Sequence, residues 1–174
     1  MDVMKVLHVI GFKNSGKTTL IARWVQLLQQ KGLEVAVLKH HGHAESLAMP
    51  DASTDSMQFF YKGAMVSVAA GGGSTQLMMN KEMPFETLKE LAATGHPDIL
   101  FIEGYKKEKG DKIVLLRDGE DWQSLQSVQG LQLIVGCTEV SSDLPKIATR
   151  EEGALLDRWL LEWLGKDDIV NETI

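Results

Sequence analysis

Cysteine, an excess of basic residues and long apolar runs are what this sequence of 174 residues lacks. The single cysteine, Cys137, excludes an intrachain disulfide and a cysteine-based zinc site, and it favours a reducing, cytoplasmic setting. The formal net charge of −6 argues against non-specific binding of nucleic acid or of an anionic membrane. No apolar run approaches the roughly twenty residues that a membrane helix needs, and Lys5 and His8 interrupt the first one, unlike a signal-peptide core.

Short apolar runs alternate with amphipathic segments, which is typical of βα units on a mostly parallel sheet. The pattern predicts strands at 5–10, 33–39, 98–103, 112–116 and 131–136, and helices at 18–31, 84–94 and 151–164. The inner face predicted for the last helix consists of Leu155, Leu156, Trp159, Leu160 and Trp163. We therefore expect an α/β fold of three layers, with one nucleotide-binding domain over residues 1–165 and a polar tail at 166–174.

A β-hairpin is predicted in addition to this sheet. Two short strands at 65–70 and 75–79 flank three consecutive glycines at 71–73, which permit a tight turn. The methionine-rich segment 77–83 follows directly. Its apolar side chains fit a dimer interface and plain core packing equally well.

The segment Gly11-Phe12-Lys13-Asn14-Ser15-Gly16-Lys17-Thr18 matches the phosphate-loop pattern G-x-x-x-x-G-K-[ST] and lies between a predicted strand and a predicted helix. Its glycines let backbone N–H groups converge on a phosphate. Lys17 is expected to contact the β- and γ-phosphates, and the Thr18 hydroxyl is a hard oxygen ligand suited to Mg²⁺. The nucleotide-binding residues predicted from this and the following features are Gly11, Lys13, Asn14, Ser15, Gly16, Lys17, Thr18, Thr19, Lys39 and Gly104.

An acidic residue near the magnesium ion is expected at one end of the strand 98–103. A strand rises about 3.3 Å per residue, so Asp98 and Glu103 lie on the order of 16 Å apart. The phosphate loop follows the carboxyl end of its own strand, and the parallel neighbour brings Glu103 to that edge. We therefore assign Glu103, acting through a metal-bound water, and expect Gly104 to allow close approach. The alternative is a strand-terminating acid that faces solvent.

The loop after the second predicted strand, Lys39-His40-His41-Gly42-His43, is expected at the same edge of the sheet. Lys39, or an acid of this loop, is expected to contact phosphate, Mg²⁺ or substrate. The three histidines could instead bind a transition metal, or be solvated. Asp51 and Asp55 follow, and Asp55 fits either a catalytic base or a helix cap. The residues define no individual roles for His40, His41, His43 and Asp51.

The sequence contains few signals for which nucleotide base is bound and for how fast the nucleotide is hydrolysed. The guanine-reading pattern of Ras-like proteins is absent, and a base-contacting loop is expected at Gly136-Cys137-Thr138-Glu139. These residue types do not decide between guanine and adenine. No glutamine is obviously placed to orient water, and none of Arg23, Arg117, Arg150 and Arg158 has an evident finger position, so slow hydrolysis is expected.

Taken together and in this order, these motifs resemble the molybdopterin-guanine dinucleotide biosynthesis protein B family. The resemblance rests on the phosphate loop through Thr19, the 39–43 loop, the segment from Asp55-Ser56 to Gly63-Ala64, and Glu103-Gly104-Tyr105-Lys106.

The resemblance implies a cytoplasmic accessory protein that binds GTP with Mg²⁺, hydrolyses it weakly at most and forms a homodimer. Its implied partner is the MobA-type guanylyltransferase, which attaches GMP to molybdopterin. Two alternatives remain from the residues. One is a small-molecule kinase with Asp55 or Glu103 as its base, and the other is a metal-delivery GTPase that uses the histidine loop.

Overall fold

The computed structural model describes residues 4–41 and 47–165. The tail predicted at 166–174 and His43 of the histidine loop lie outside the described residues. The helices and strands of the described part are, in chain order, β1 Lys5–Gly11, α1 Lys17–Gln30, β2 Val35–Lys39, α2 Asp55–Tyr61, β3 Val66–Gly71, β4 Ser74–Met79, α3 Phe85–Ala92, β5 Ile99–Glu103, β6 Asp111–Leu115, α4 Gly119–Leu125, β7 Leu131–Val135, β8 Lys146–Ile147 and α5 Gly153–Leu164.

The main sheet has six parallel strands in the order β2-β5-β1-β6-β7-β8. β5 lies between β2 and β1, and all five of its residues are buried, which explains its continuous apolar sequence. The register aligns Lys39 with Glu103, and Glu103 with Val9. Because the strands are parallel, the carboxyl ends of β1, β2 and β5 meet at one edge of the sheet.

Helices cover both faces of this sheet. On one face, apolar residues of α1 and α5 pack against alternate residues of the strands; the buried members from the helices are Leu20, Ile21, Trp24, Leu28, Leu156, Leu160, Leu161 and Leu164. On the opposite face, Trp122 and Leu125 of α4 pack against Ile10, Val114 and Ile134. This arrangement confirms the predicted three-layer α/β fold with a mostly parallel sheet.

Backbone contacts divide the chain into two compact units, Met1–His40 with Lys89–Ile174 and His41–Leu88. The described part of the second unit contains α2 and the antiparallel pair β3-β4, which confirms the predicted hairpin. Within it, the Ser67 hydroxyl donates a hydrogen bond to the Ser56 carbonyl of α2 (2.9 Å). The single-domain organisation over residues 1–165 stays a prediction.

Three local features differ from expectation. Leu155 was placed on the inner face of α5, but it is 46% exposed, because the buried face is centred on Leu156 and Leu160. The helix α4 and the two-residue strand β8 were not predicted from the sequence. The sequence does contain a helix-start signal for α4, because aspartate is a preferred N-cap residue and Asp118 stands at that position. In the structure its side chain accepts hydrogen bonds from two backbone N–H groups of the first turn. In the described chain, the helices are too short or too polar to cross a membrane.

Trp24 provides a test of how the α1–α5 layer is held. Its ring is fully buried and stacks on Phe101 of β5 (5.6 Å between centroids) and on Trp159 of α5 (6.4 Å). We expect Trp24→Ala to lower the free energy of unfolding by about 3–5 kcal/mol, measured by urea denaturation followed by circular dichroism. The exposed control Leu155→Ala should change it by less than about 0.5 kcal/mol. Equal effects of the two substitutions would contradict this packing.

Candidate functional site

The loop between β1 and α1 has the backbone shape that its two glycines permit. Gly16 occupies the cap position of α1 with a φ of 94°. Gly11 has a φ of 150°, and a Cβ atom there would lie 2.5 Å from the Leu115 carbonyl oxygen. A side chain at Gly11 would therefore collide with the backbone at the end of β6 and displace the loop.

Two side chains of this loop have polar atoms directed within it. The Ser15 hydroxyl is buried and has no hydrogen-bond partner among the described residues. The Lys17 ammonium donates a hydrogen bond to the Phe12 carbonyl (2.7 Å). Burial lowers the pKa of Lys17 and the charge of Glu103 opposes this shift. An anion at this loop would give the Ser15 hydroxyl an acceptor and would offer the Lys17 ammonium a charged one in place of the neutral Phe12 carbonyl.

Glu103 joins the ends of three elements at the carboxyl edge of the sheet. Its Oε2 accepts a hydrogen bond from the Thr18 hydroxyl of α1 (2.9 Å), and its Oε1 lies 3.4 Å from the Lys39 ammonium of β2. Lys39 also donates to the Thr18 hydroxyl oxygen (3.1 Å). The Glu103 side chain is only 9% exposed, so it does not face solvent as a strand-terminating acid would.

Asp98 lies at the opposite edge of the sheet, where its carboxylate accepts a hydrogen bond from the Glu34 backbone N–H (2.7 Å). Gly104 follows Glu103 with a φ of 94°, and its N–H donates to the Val9 carbonyl (3.0 Å). The structure thus places Glu103, Gly104, Lys39 and the phosphate loop together and Asp98 away from them.

The predicted histidine loop is described only in part. His40 lies next to Glu103, where its backbone N–H donates a hydrogen bond to the Glu103 backbone carbonyl (3.0 Å). The His40 ring packs on Tyr105 (4.6 Å between centroids). His41 belongs to the second unit and is exposed, whereas His43 lies outside the described residues. Over residues 4–41 and 47–165 no group of three or more His, Cys, Asp or Glu side chains could hold a metal ion.

Asp51 and Asp55 also belong to the second unit. The Asp51 carboxylate accepts hydrogen bonds from the Ser53 hydroxyl (2.6 Å) and N–H (2.8 Å), which lower its pKa. Asp55 is the first residue of α2, and the cap position itself is held by Thr54. The proposed catalytic role of Asp55 stays a prediction.

Two arginines that the sequence analysis could not place contact the phosphate loop. Arg150 donates a hydrogen bond to the Asn14 carbonyl (3.3 Å). Arg117, held by a hydrogen-bonded ion pair with Asp121, has its guanidinium 5.1 Å from the centroid of the Phe12 ring. Arg117 follows the carboxyl end of β6. Because ligands bind at the carboxyl ends of the strands in a parallel sheet, Arg117 could have been predicted from this position. Arg150 follows β8, whose two residues carry no periodic signal.

The coupling between Glu103 and Lys17 can be tested by titration. Glu103→Gln removes the negative charge that raises the pKa of Lys17, so we expect this pKa to fall further below its usual value. Carbon-13 NMR of the lysine Cε signal measures the change. Asp98→Asn, which removes a charge at the opposite sheet edge, should leave the pKa unchanged. An unchanged or raised pKa in the Glu103 variant would contradict the electrostatic arrangement described here.

Comparison with known proteins adds a family model described as "Molybdopterin guanine dinucleotide synthesis protein B", MobB, which matches residues 6–137. A probable molybdopterin-guanine dinucleotide biosynthesis adapter protein of Bacillus subtilis is 35% identical over 129 residues, covering 74% of this chain and 75% of that protein. The corresponding adapter protein of Escherichia coli is 25% identical over 172 residues, covering 95% and 97%.

Solved structures agree with the sequence relatives. The crystal structure of Bacillus subtilis MobB matches with a TM-score of 0.79 and 30% identity, covering 90% of this chain and 96% of that one. A MobB homologue from Bacillus stearothermophilus matches with a TM-score of 0.75 and 28% identity, covering 93% and 99%. The similarity therefore extends over nearly the whole fold.

Proposed function

Since the chain belongs to the molybdopterin guanine dinucleotide synthesis protein B family, we propose that it is a GTP-binding adapter of molybdopterin-guanine dinucleotide formation. Its proposed partner is the guanylyltransferase that attaches GMP to molybdopterin. The observation that carries the nucleotide site is the contact of Thr18 with Glu103, which joins the end of the phosphate loop to a buried acid 85 residues further along the chain.

The phosphate loop supports nucleotide binding through its backbone and through Lys17. N–H groups at the start of α1 favour a negative charge through their partial positive charge. The Lys17 ammonium, which bonds the Phe12 carbonyl, would exchange this neutral acceptor for phosphate oxygens. Arg150 adds a second cation beside Asn14.

The residues around Glu103 fit a magnesium ion. A threonine hydroxyl and a carboxylate are hard oxygen ligands, which Mg²⁺ prefers. In Thr18 and Glu103 these two groups are already in contact (2.9 Å). Lys39 supplies the positive charge next to both of them (3.1 and 3.4 Å), so it would share the carboxylate with the ion. The ion would neutralise phosphate charge and orient the nucleotide.

Slow hydrolysis is consistent with the contacts of Glu103. One of its oxygens accepts the Thr18 hydroxyl, and the other faces the Lys39 ammonium. Both carboxylate oxygens are therefore engaged by groups of the protein itself, so neither is free to accept a proton from an attacking water. We therefore propose that Glu103 organises the cation site and that the isolated protein turns over GTP slowly.

Lys17→Ala tests the nucleotide site. The substitution removes a charged hydrogen-bond donor worth about 1.5–3 kcal/mol, so GTP affinity measured by calorimetry should fall roughly tenfold to more than a hundredfold. Lys5→Ala removes the same charge at the other end of β1 and should bind as the wild type does. Unchanged GTP affinity in a folded Lys17 variant would rule out this site. Tighter binding of ATP than of GTP would overturn the assignment of the base.

We further propose that the protein forms a homodimer through the outer face of the hairpin. Ser67 points toward α2, so its neighbours Val66 and Val68 lie on the other face of β3 and are 42% and 60% exposed. Leu77, the register partner of Val68, adds to this face and is 38% exposed. These three apolar side chains form a face that the described part of the chain leaves exposed, which favours burial against a second copy.

Sedimentation velocity at micromolar concentration tests the dimer. We expect the wild type at twice the monomer mass and Val68→Lys at the monomer mass, because a charge in an apolar interface is costly to bury. Leu155→Lys places the same charge on an exposed position of α5 and should remain dimeric. A wild-type protein that sediments as a monomer would refute the proposal.

A further inference from the structure

A cavity lies beside residues 104–110, which connect β5 to β6. Its volume is about 580 Å³, and it is lined by residues 106–110, by Ser124 of α4, by residues 127–130 of the following turn, and by Lys112 of β6. This volume is within the range of sites that hold small organic molecules rather than single ions.

The lining is strongly basic in a chain whose net charge is −6. Four lysines, Lys106, Lys107, Lys109 and Lys112, face one acid, Glu108. Within residues 4–41 and 47–165 none of these four ammonium groups forms an ion pair with a carboxylate. The carboxylates of Asp111 and Glu108 act on the Lys112 charge without forming an ion pair, and the four lysines still outnumber these two acids.

Lys112 is the one buried lysine among the residues that line this cavity. Its side chain is almost completely buried, with 1% of the residue exposed, and burial lowers its pKa. Of its three N–H donors, the described chain engages one, in a hydrogen bond to the Gly110 carbonyl (3.0 Å). A buried ammonium is stabilised by an anionic acceptor, and the cavity offers room for one.

We propose that this cavity binds a small organic phosphate monoester. The dianionic phosphate matches the excess positive charge, and the hydroxyls of Ser124 and Ser127 supply neutral donors for further oxygens. Val128 provides apolar contact for the organic part. The proposal stands on the cavity and its charges, independently of nucleotide binding at the phosphate loop.

The position of the cavity links it to the nucleotide site. Residues 104–110 begin directly after Glu103, and the Lys106 ammonium lies 5.9 Å from the centroid of the Phe12 ring in the phosphate loop. The ester would bind next to the proposed nucleotide, as a second substrate or a regulator of the same protein would.

Glucose 6-phosphate serves as the probe, added to the full-length nitrogen-15-labelled protein at constant ionic strength. We expect saturable shifts of the Gly110 and Gly130 amide signals and none with glucose. Replacing two exposed lysines, Lys107→Ala with Lys109→Ala, should weaken binding at least tenfold. The matched double control Lys62→Ala with Lys81→Ala removes two exposed charges from the other unit and should change the affinity less than twofold.

The remaining outcomes separate this site from the phosphate loop. Retention of the Gly110 and Gly130 shifts in Lys17→Ala supports the cavity, whether or not that variant binds GTP. Shifts confined to Gly11 and Gly16 would place the probe on the phosphate loop and overturn the proposal. It would equally be overturned by identical shifts with sulfate, which indicate unselective anion binding, or by shifts with polyglutamate alone, which indicate an acidic protein partner.

Discussion

The structure depends on accommodating one carboxylate where water hardly reaches it. Glu103 is 7% exposed, and a charge buried to this extent is tolerated only with hydrogen-bonded or charged partners. Thr18 of α1 and Lys39 of β2 supply those partners, so three separate elements must reach the same edge of the sheet. The parallel register of β2, β5 and β1 achieves this by aligning Lys39, Glu103 and Val9. The same strand register therefore builds the sheet and brings the residues of the candidate site together.

Much of this arrangement could be predicted from the sequence, because it follows from local patterns and one geometric rule. The phosphate-loop spacing identified Gly11 to Thr18, and the common direction of parallel strands separated Glu103 from Asp98. Arg150 could not be found in this way, since it reaches Asn14 across 136 residues from a loop after a strand of only two residues. Leu155 was misplaced because an apolar residue one position from a helix's buried face looks the same in the sequence as one on it.

Composition and local charge lead to different conclusions about binding. The net charge of −6 disfavours long polyanions, which experience the field of the whole surface. Positive side chains are nevertheless concentrated in two places, around the phosphate loop and in residues 106–112. Salt screens distant charges, so the binding of a small ligand in a site depends mostly on the charges that it contacts. A protein with a negative net charge can therefore still bind small phosphates. Glu103 connects the two regions, because it faces the loop with its side chain and precedes the lysine segment in the chain.

We have proposed that Thr18 and Glu103 form a cation site that works together with the phosphate loop. GTP affinity of the wild-type protein, measured by calorimetry with Mg²⁺ and again with the metal chelated, tests it most directly. We expect binding at least tenfold tighter with Mg²⁺, and loss of most of this difference in Glu103→Gln. GTP affinity that is the same with and without Mg²⁺ would contradict it.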